Sequence, residues 1–338
     1  MSRDKESTVE ELSLKMRERS YRILERFQQT SISGVNHQKL LSILADVKAY
    51  WKDNLRPSLV SYSSEAVGGK SNAADEVSLM ITLMGAGLGI HDDIIDRSLS
   101  KHSRMTILGL HGVDNALLIG ELFIVKSMTV IREMIKKNYN TETIEKIIEE
   151  FERFFLEVWE GEFMETLCRR NLDTDLEEYL KVLWMSTADT EACTRFGAIL
   201  GGGSKSEVEA LAEVGRRLGY MFRLADDIKD TLNLEGTLPF RLVNESVPLP
   251  ILYTAKSSKE MYLKIKSYLE KSIVDQNDAW KITELCFEAE AFQYVLRVAK
   301  QNETEAIHKL NLIKNSEAKD IIAFMVKNAF IYLNNFCL

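Results

Sequence analysis

The sequence predicts an all-α protein, and three features carry that prediction. Apolar residues recur by threes and fours over long stretches, no run of β-branched residues alternates with period two, and the glycines and four prolines fall mainly between helical patterns. The 338 residues, 45% apolar and 28% charged, can bury a substantial core. Length and periodicity together give one domain over residues 1–338, with ten or more helices around a central cavity.

Residues 1–35 read as an outer helix. Ser7 and Thr8 each precede a glutamate by three positions, a capping-box pattern, and Leu12, Met16, Ile23, Leu24 and Phe27 form a loose apolar stripe. A second helix is expected over 38–52. Pro57 suits the start of a third, which Gly68-Gly69 ends near residue 67. Those glycines and Lys70 lack the preceding strand and remaining spacing of a phosphate loop, so they read as a turn.

From 75 to 96 the helical pattern is Val77, Met80, Ile81, Met84 and Leu88, interrupted by Gly85, Gly87 and Gly89. Each glycine costs a helix about 1 kcal/mol relative to alanine, so three in five residues need a reason: a tightly packed neighbour or an open cavity. Residues 142–164 show the clearest period, with Ile144, Ile147, Ile148, Phe151, Phe154, Phe155, Val158 and Trp159 as an expected core stripe. Gly201-Gly202-Gly203 ends another helix. Ser206 and Glu209 start the next, which carries Leu211, Val214, Leu218 and Phe222. Residues 231–250 hold three of the four prolines and read as a loop, and a last amphipathic helix is expected over 321–336.

Two of these helices end in the same acidic arrangement, Asp92-Asp93-x-x-Asp96 and Asp226-Asp227-x-x-Asp230. Carboxylates four apart lie on one helix face and repel, at a cost of about 0.2–0.5 kcal/mol. A divalent cation removes that repulsion. Two such helix ends opening on one cavity offer many carboxylate oxygens, the donor set of hard Mg2+ bridged to a substrate's phosphates.

A formal charge of −8 argues against a nucleic-acid partner, since phosphate backbones need clustered Lys and Arg. Cys168, Cys193, Cys286 and Cys337 have no paired metal spacing and read as reduced thiols. The first residues lack a signal peptide's apolar core, no 18-residue uncharged run suggests a membrane span, and Cys337 does not sit in a prenylation box. A cytoplasmic protein is the expectation.

The motifs resemble the trans-isoprenyl diphosphate synthases, or polyprenyl synthetases, over roughly 56–250. The similarity lies in Leu55-Arg56-Pro57, Glu65-Ala66-Val67-Gly68-Gly69, Ile90-His91-Asp92-Asp93-Ile94-Ile95-Asp96, Arg195-Phe196-Gly197-Ala198-Ile199-Leu200, and Gly219-x-x-Phe222-Arg223-x-x-Asp226-Asp227-x-x-Asp230. The resemblance implies an isoprenoid synthase-type helical bundle, three Mg2+ ions on the diphosphate of an allylic substrate, departure of pyrophosphate, and attack on the allylic cation by isopentenyl diphosphate. By the same resemblance Asp92 and Asp96 ligate two ions and Asp226 the third. Asp93, Asp227 and Asp230 are lesser or outer partners. A homodimer is also implied, and a lipophilic product allows peripheral membrane contact.

Departures from the family pattern fall mostly on the isopentenyl diphosphate side. Asp53 stands in the register of a lysine, Gly85 replaces a histidine seven residues before the first aspartate, and Met185 replaces a lysine. The paired arginines after the first cluster read Lys101-His102 with Arg104 close by. A glutamine before the second cluster is Arg223, and Arg241 stands in for a missing lysine beyond it. Arg56, Lys101, His102, Arg104, Arg223 and Arg241 are therefore the expected diphosphate contacts.

The leading expectation is a Mg2+-dependent prenyltransferase. The alternatives are a class I terpene cyclase or unusual prenyl-coupling enzyme that keeps only the ionising half, and a catalytically weak partner subunit. Product chains in the family grow along the helix bearing the first cluster, and Gly87 takes the place of an aromatic plug found in short-chain members. An open cavity there, with Ile81, Met84 and Leu88 lining it, implies a product of about twenty carbons or more, against the bland alternative of helix packing, to which small residues are equally suited.

Overall fold

The computed structural model of the chain describes residues 3–70, 72–101 and 104–330. Among them are fifteen α-helices: α1 (Arg3–Ile32), α2 (Gln38–Tyr50), α3 (Leu55–Ala66), α4 (Asp75–Ile95), α5 (Ile107–Lys136), α6 (Thr141–Leu167), α7 (Leu176–Met185), α8 (Ala188–Leu200), α9 (Lys205–Thr231), α10 (Leu238–Asn244), α11 (Leu249–Ser257), α12 (Lys259–Leu269), α13 (Gln276–Glu288), α14 (Ala291–Leu310) and α15 (Glu317–Lys327). The only other regular structure among the described residues is a two-residue antiparallel ladder, β1 (Ser100–Lys101) with β2 (Arg104–Met105). The all-α class is as expected.

The chain forms two compact units. One comprises Met1–Phe151, Ala192–Ala212 and Leu312–Ile322; the other Glu152–Glu191, Glu213–Asn311 and Ala323–Leu338.

In the first unit α4 is the core. Its residues from Glu76 to Gly87 are all buried, because a helix apolar on every side has no face suited to water. It packs on α1, α3 and α5. Phe27 of α1 stacks on Phe123 of α5 with ring centroids 5.5 Å apart. Glu76, 2% exposed, accepts Arg26 of α1 at 2.6 Å and pairs with Lys137. Lys126 of α5 is buried and donates to the carbonyls of Thr30 and Ser33 at 2.9 and 2.7 Å, tying the end of α1 to α5. Within α5 Gly112 breaks the helical path at φ 78°, a left-handed conformation cheap only for glycine. Beyond it Val113, Leu117, Leu118, Val125 and Met128 are exposed. Both α4 and α5 are long and apolar enough to cross a membrane by length and composition, and α4 is mostly buried in the protein.

The second unit is held by buried polar groups as well as apolar ones. Arg216 of α9, 4% exposed, donates to Glu157 and to the Trp184 carbonyl, both at 2.8 Å, and pairs with Glu191. Tyr253 of α11 stacks on Tyr294 of α14 at 4.2 Å, and Asp275 with Asp278 forms a capping box at the start of α13.

Several sequence expectations need correction. The first helix begins at Arg3, so Ser7 and Thr8 lie inside it rather than at its start. The box that starts α9 is Ser204 with Glu207, two residues earlier than expected: Glu207 accepts the Ser204 N–H at 2.9 Å, and the Ser204 hydroxyl oxygen accepts the Glu207 N–H at 3.3 Å. Glu209 instead pairs with Arg195. The region 231–250 is not simply a loop, because α10 forms within it with Pro239 near its start. In the α6 stripe Ile144, Ile147, Phe151 and Phe154 are buried, whereas Ile148 is exposed and Phe155, Val158 and Trp159 are only half-buried. The last helix ends at Lys327, and the expected extension to 336 and Cys337 lie outside the described residues. Cys168, Cys193 and Cys286 are buried thiols outside any disulfide.

Candidate active site

The first aspartate cluster forms where α4 stops. Asp96 caps the helix, Arg97 takes a left-handed φ of 59°, and the turn carries the chain into the β1–β2 ladder. That return brings Lys101 back onto the helix end. Its ammonium donates to Asp92 at 2.7 Å and pairs with Asp93 at 3.0 Å. Partial burial works against the ammonium, but Asp92 and Asp93 outweigh it and hold Lys101 above the usual lysine pKa. Asp93 is 3% exposed, and burial raises its carboxyl above the usual range in spite of Lys101.

Asp92 and Asp96 project from adjoining turns, each offering a carboxylate oxygen, and the two oxygens lie within 4.8 Å of one another. Two oxygens from one helix face, with no nitrogen or sulfur donor, suit a hard dication that keeps waters and phosphate oxygens as its other ligands. The residues present fit Mg2+.

Arg56 stands at the start of α3. Asp53 holds it at 2.8 Å, and the same carboxylate accepts the backbone N–H groups of Leu55 and Arg56 at 2.9 and 3.2 Å. The Trp51 indole lies on α4 at the two outer glycines: a Cβ on Gly85 or Gly89 would stand 3.3 or 3.0 Å from it. These glycines make room for Trp51. Gly87 faces the opposite way, into α5, where a Cβ would meet the Gly120 carbonyl oxygen at 2.7 Å and Ile124 Cγ1 at 2.8 Å. The expected open cavity at Gly87 is therefore wrong, and close helix packing is the reason for the glycine. Ile81 and Met84 are fully buried in the core of the unit, and Leu88 is half-buried. Arg104 is exposed on β2, and His102 lies outside the described residues.

The second cluster ends α9. Asp226 is exposed and has no ion pair among the described residues, while Asp227, one residue on, points inward and is 2% exposed. Asp227 accepts Arg241 at 2.6 Å, the Leu249 N–H at 2.9 Å and the Tyr179 hydroxyl at 3.2 Å. Asp230 pairs with the other arm of the same Arg241. Burial works against the Arg241 charge, and Asp227 and Asp230 outweigh it and hold its pKa well above the usual value. Arg223 donates to Glu165 at 3.1 Å, and the other Glu165 oxygen accepts the Ser246 hydroxyl at 2.8 Å.

Each expected cation other than His102 and Arg104 thus rests on a carboxylate: Arg56 on Asp53, Lys101 on Asp92 and Asp93, Arg223 on Glu165, and Arg241 on Asp227 and Asp230. Trp51, Tyr179 and Glu165 were not expected at these clusters. None sits in a motif, and only the packing reveals them.

Residues 47–284 match the polyprenyl synthetase family model. The chain is 27% identical over 315 residues to the short chain isoprenyl diphosphate synthase of Methanothermobacter thermautotrophicus, covering 89% of this chain and 92% of that one. It is 26% identical over 245 residues to the geranylfarnesyl diphosphate synthase of Methanosarcina mazei, covering 72% and 79%. Among solved structures, geranylgeranyl pyrophosphate synthetase from Pyrococcus horikoshii is similar in fold at a TM-score of 0.84 and 21% identity, covering 96% of this chain and 99% of that one. A polyprenyl synthase from Caulobacter crescentus, complexed with calcium and isoprenyl diphosphate, gives 0.76 at 17% identity, covering 93% and 96%. With the family model matching well over half its length, the chain belongs to the polyprenyl synthetase family.

Proposed function

We propose that this protein is a Mg2+-dependent isoprenyl diphosphate synthase that ionises an allylic diphosphate and condenses it with isopentenyl diphosphate. The observation that carries the reading is the carboxylate pair of Asp92 and Asp96 at the end of an apolar helix, repeated in kind by Asp226 at the end of α9. Bound Mg2+, three ions by family resemblance, would supply positive charge that favours the departing pyrophosphate more in the transition state than in the ground state. By the same resemblance Asp92 and Asp96 would hold ions at the end of α4, and Asp226 one at the end of α9. Lys101 would contribute by exchanging its carboxylate partners, Asp92 and Asp93, for diphosphate oxygens.

Support also comes from the Caulobacter crescentus protein, whose structure holds a divalent cation and an isoprenyl diphosphate. The enzyme is proposed to act in the cytoplasm as a homodimer. Its exposed apolar side chains on α5 are surface that a second copy would cover. A product of about twenty carbons or more does not follow from Gly87, which is packed.

A second reading, ionisation with an acceptor other than isopentenyl diphosphate, is favoured by the Asp53–Arg56 pair and by Trp51 covering Gly85 and Gly89. The metal half is tested by Asp92→Asn and Asp226→Asn. Each should lower pyrophosphate release from an allylic diphosphate by about 100-fold or more. Unchanged release in both variants would overturn the reading.

A further inference from the structure

Arg241 has a role other than a substrate contact. It reaches the end of α9 from α10 and is 7% exposed, with one arm of its guanidinium on Asp227 and the other on Asp230. Those carboxylates come from adjoining turns of one helix. Two further donors are also engaged: Nη2 donates to the Tyr179 hydroxyl at 3.2 Å, and Nε points to the Ser246 carbonyl at 3.4 Å. A planar fork held at four points cannot swing towards a diphosphate without leaving Asp227 buried and uncompensated, which is costly. Tyr179, 0% exposed, closes the other side of the group and donates to Asp227 at 3.2 Å.

We infer that Arg241 is a positioning residue, a resident counter-ion that neutralises Asp227 and Asp230 and thereby fixes the helix end from which Asp226 projects. The inference rests on the reading that Asp226 is a metal ligand. It assigns to an arginine the compensation that a metal ion would otherwise supply at Asp230. The acidic motif then needs no ion to keep its shape.

The test uses the full-length protein, with thermal unfolding recorded with and without Mg2+ and no diphosphate present. Arg241→Met should melt below the parent and regain part of the loss on adding Mg2+, because the released carboxylates now recruit it. The parent should show no comparable gain, and Arg241→Lys should restore most of the stability. A variant that melts with the parent and responds identically to Mg2+ would overturn the assignment.

If Arg241→Met does not fold, Asp230→Asn keeps the question open to measurement, since Arg241 remains on Asp227. Mn2+ binding, followed by electron paramagnetic resonance with an allylic thiolodiphosphate present, should then stay within about twofold of the parent, whereas Asp226→Asn should weaken it about tenfold or more. A tenfold loss in Asp230→Asn would overturn the counter-ion role. A parent-like Asp226→Asn would instead overturn the metal reading on which the inference stands, so the two failures are told apart.

Discussion

Gly85→Ala and Gly87→Ala make the same chemical change on the same helix two residues apart, yet they should differ in stability by about 1–3 kcal/mol. Replacing a helix-interior glycine by alanine gains about 1 kcal/mol of propensity in either case, so that gain cancels in the comparison. The contacts remain. At Gly87 the new Cβ would stand 2.7 Å from the Gly120 carbonyl oxygen, 2.8 Å from Ile124 Cγ1 and 3.2 Å from the Ile124 amide nitrogen. Two of these atoms are backbone of α5, so relief requires a helix to shift. At Gly85 the nearest atoms are Trp51 Cζ2 at 3.3 Å and Arg56 Cδ at 3.6 Å, both on side chains that can yield. Gly85→Ala should therefore be neutral or stabilising by up to about 1 kcal/mol. Gly87→Ala should lose that gain and more. Urea denaturation followed by far-ultraviolet circular dichroism measures both, read from midpoints at unchanged m. A Gly87→Ala protein as stable as Gly85→Ala would show that Gly87 faces open space. It would return the residue to the control of product length.

Three other outcomes follow from particular contacts. Glu76→Gln should destabilise by about 1–3 kcal/mol, less than a fully enclosed pair because Arg26 and Lys137 reach solvent. Burial pushes the Glu76 carboxyl up, but Arg26 and Lys137 outweigh it and hold it below its ordinary 4.5. Its contribution is present above pH 4.5 and is lost as pH falls through the lowered folded value, so the parent should lose stability more steeply below pH 4.5 than Glu76→Gln does. Lys126→Met would remove two charge-assisted hydrogen bonds from the end of α1, although the Thr30 carbonyl keeps the Ser33 N–H, and should cost about 1–3 kcal/mol, with faster hydrogen exchange in the last turn of α1 and unchanged turnover. Asp53→Asn should relieve Arg56 of its ion pair while keeping an oxygen for the Leu55 N–H, and so lower the Michaelis constant for isopentenyl diphosphate; a constant equal to the parent's would place that substrate's contacts elsewhere.

The helices and the places where aspartates end them were legible because period and charge are local. α4 and α9 each run from a continuous apolar pattern into an i, i+4 acidic pair. What was not legible depends on which residue meets which. Glycine in a helix announces only a missing side chain, so Gly85 and Gly89 under Trp51 read the same as Gly87 under α5. The start of α9 offered two overlapping Ser-x-x-Glu patterns, and release of the chain after Leu200 gave the cap to Ser204. The cations were visible as residue types, but their carboxylate partners were not: Glu165 is 58 residues from Arg223, and Arg241 is 14 from Asp227. Both pairings depend on chain segments distant in sequence.

Prenyl transfer itself is tested most directly by incubating the full-length protein with an allylic diphosphate, labelled isopentenyl diphosphate and Mg2+, and resolving the products by chromatography. The expected result is a labelled prenyl diphosphate longer by one or more isoprene units, formed with release of pyrophosphate and abolished by a chelator. Pyrophosphate release with no label in any prenyl product would contradict condensation and leave ionisation with another acceptor as the activity of this fold.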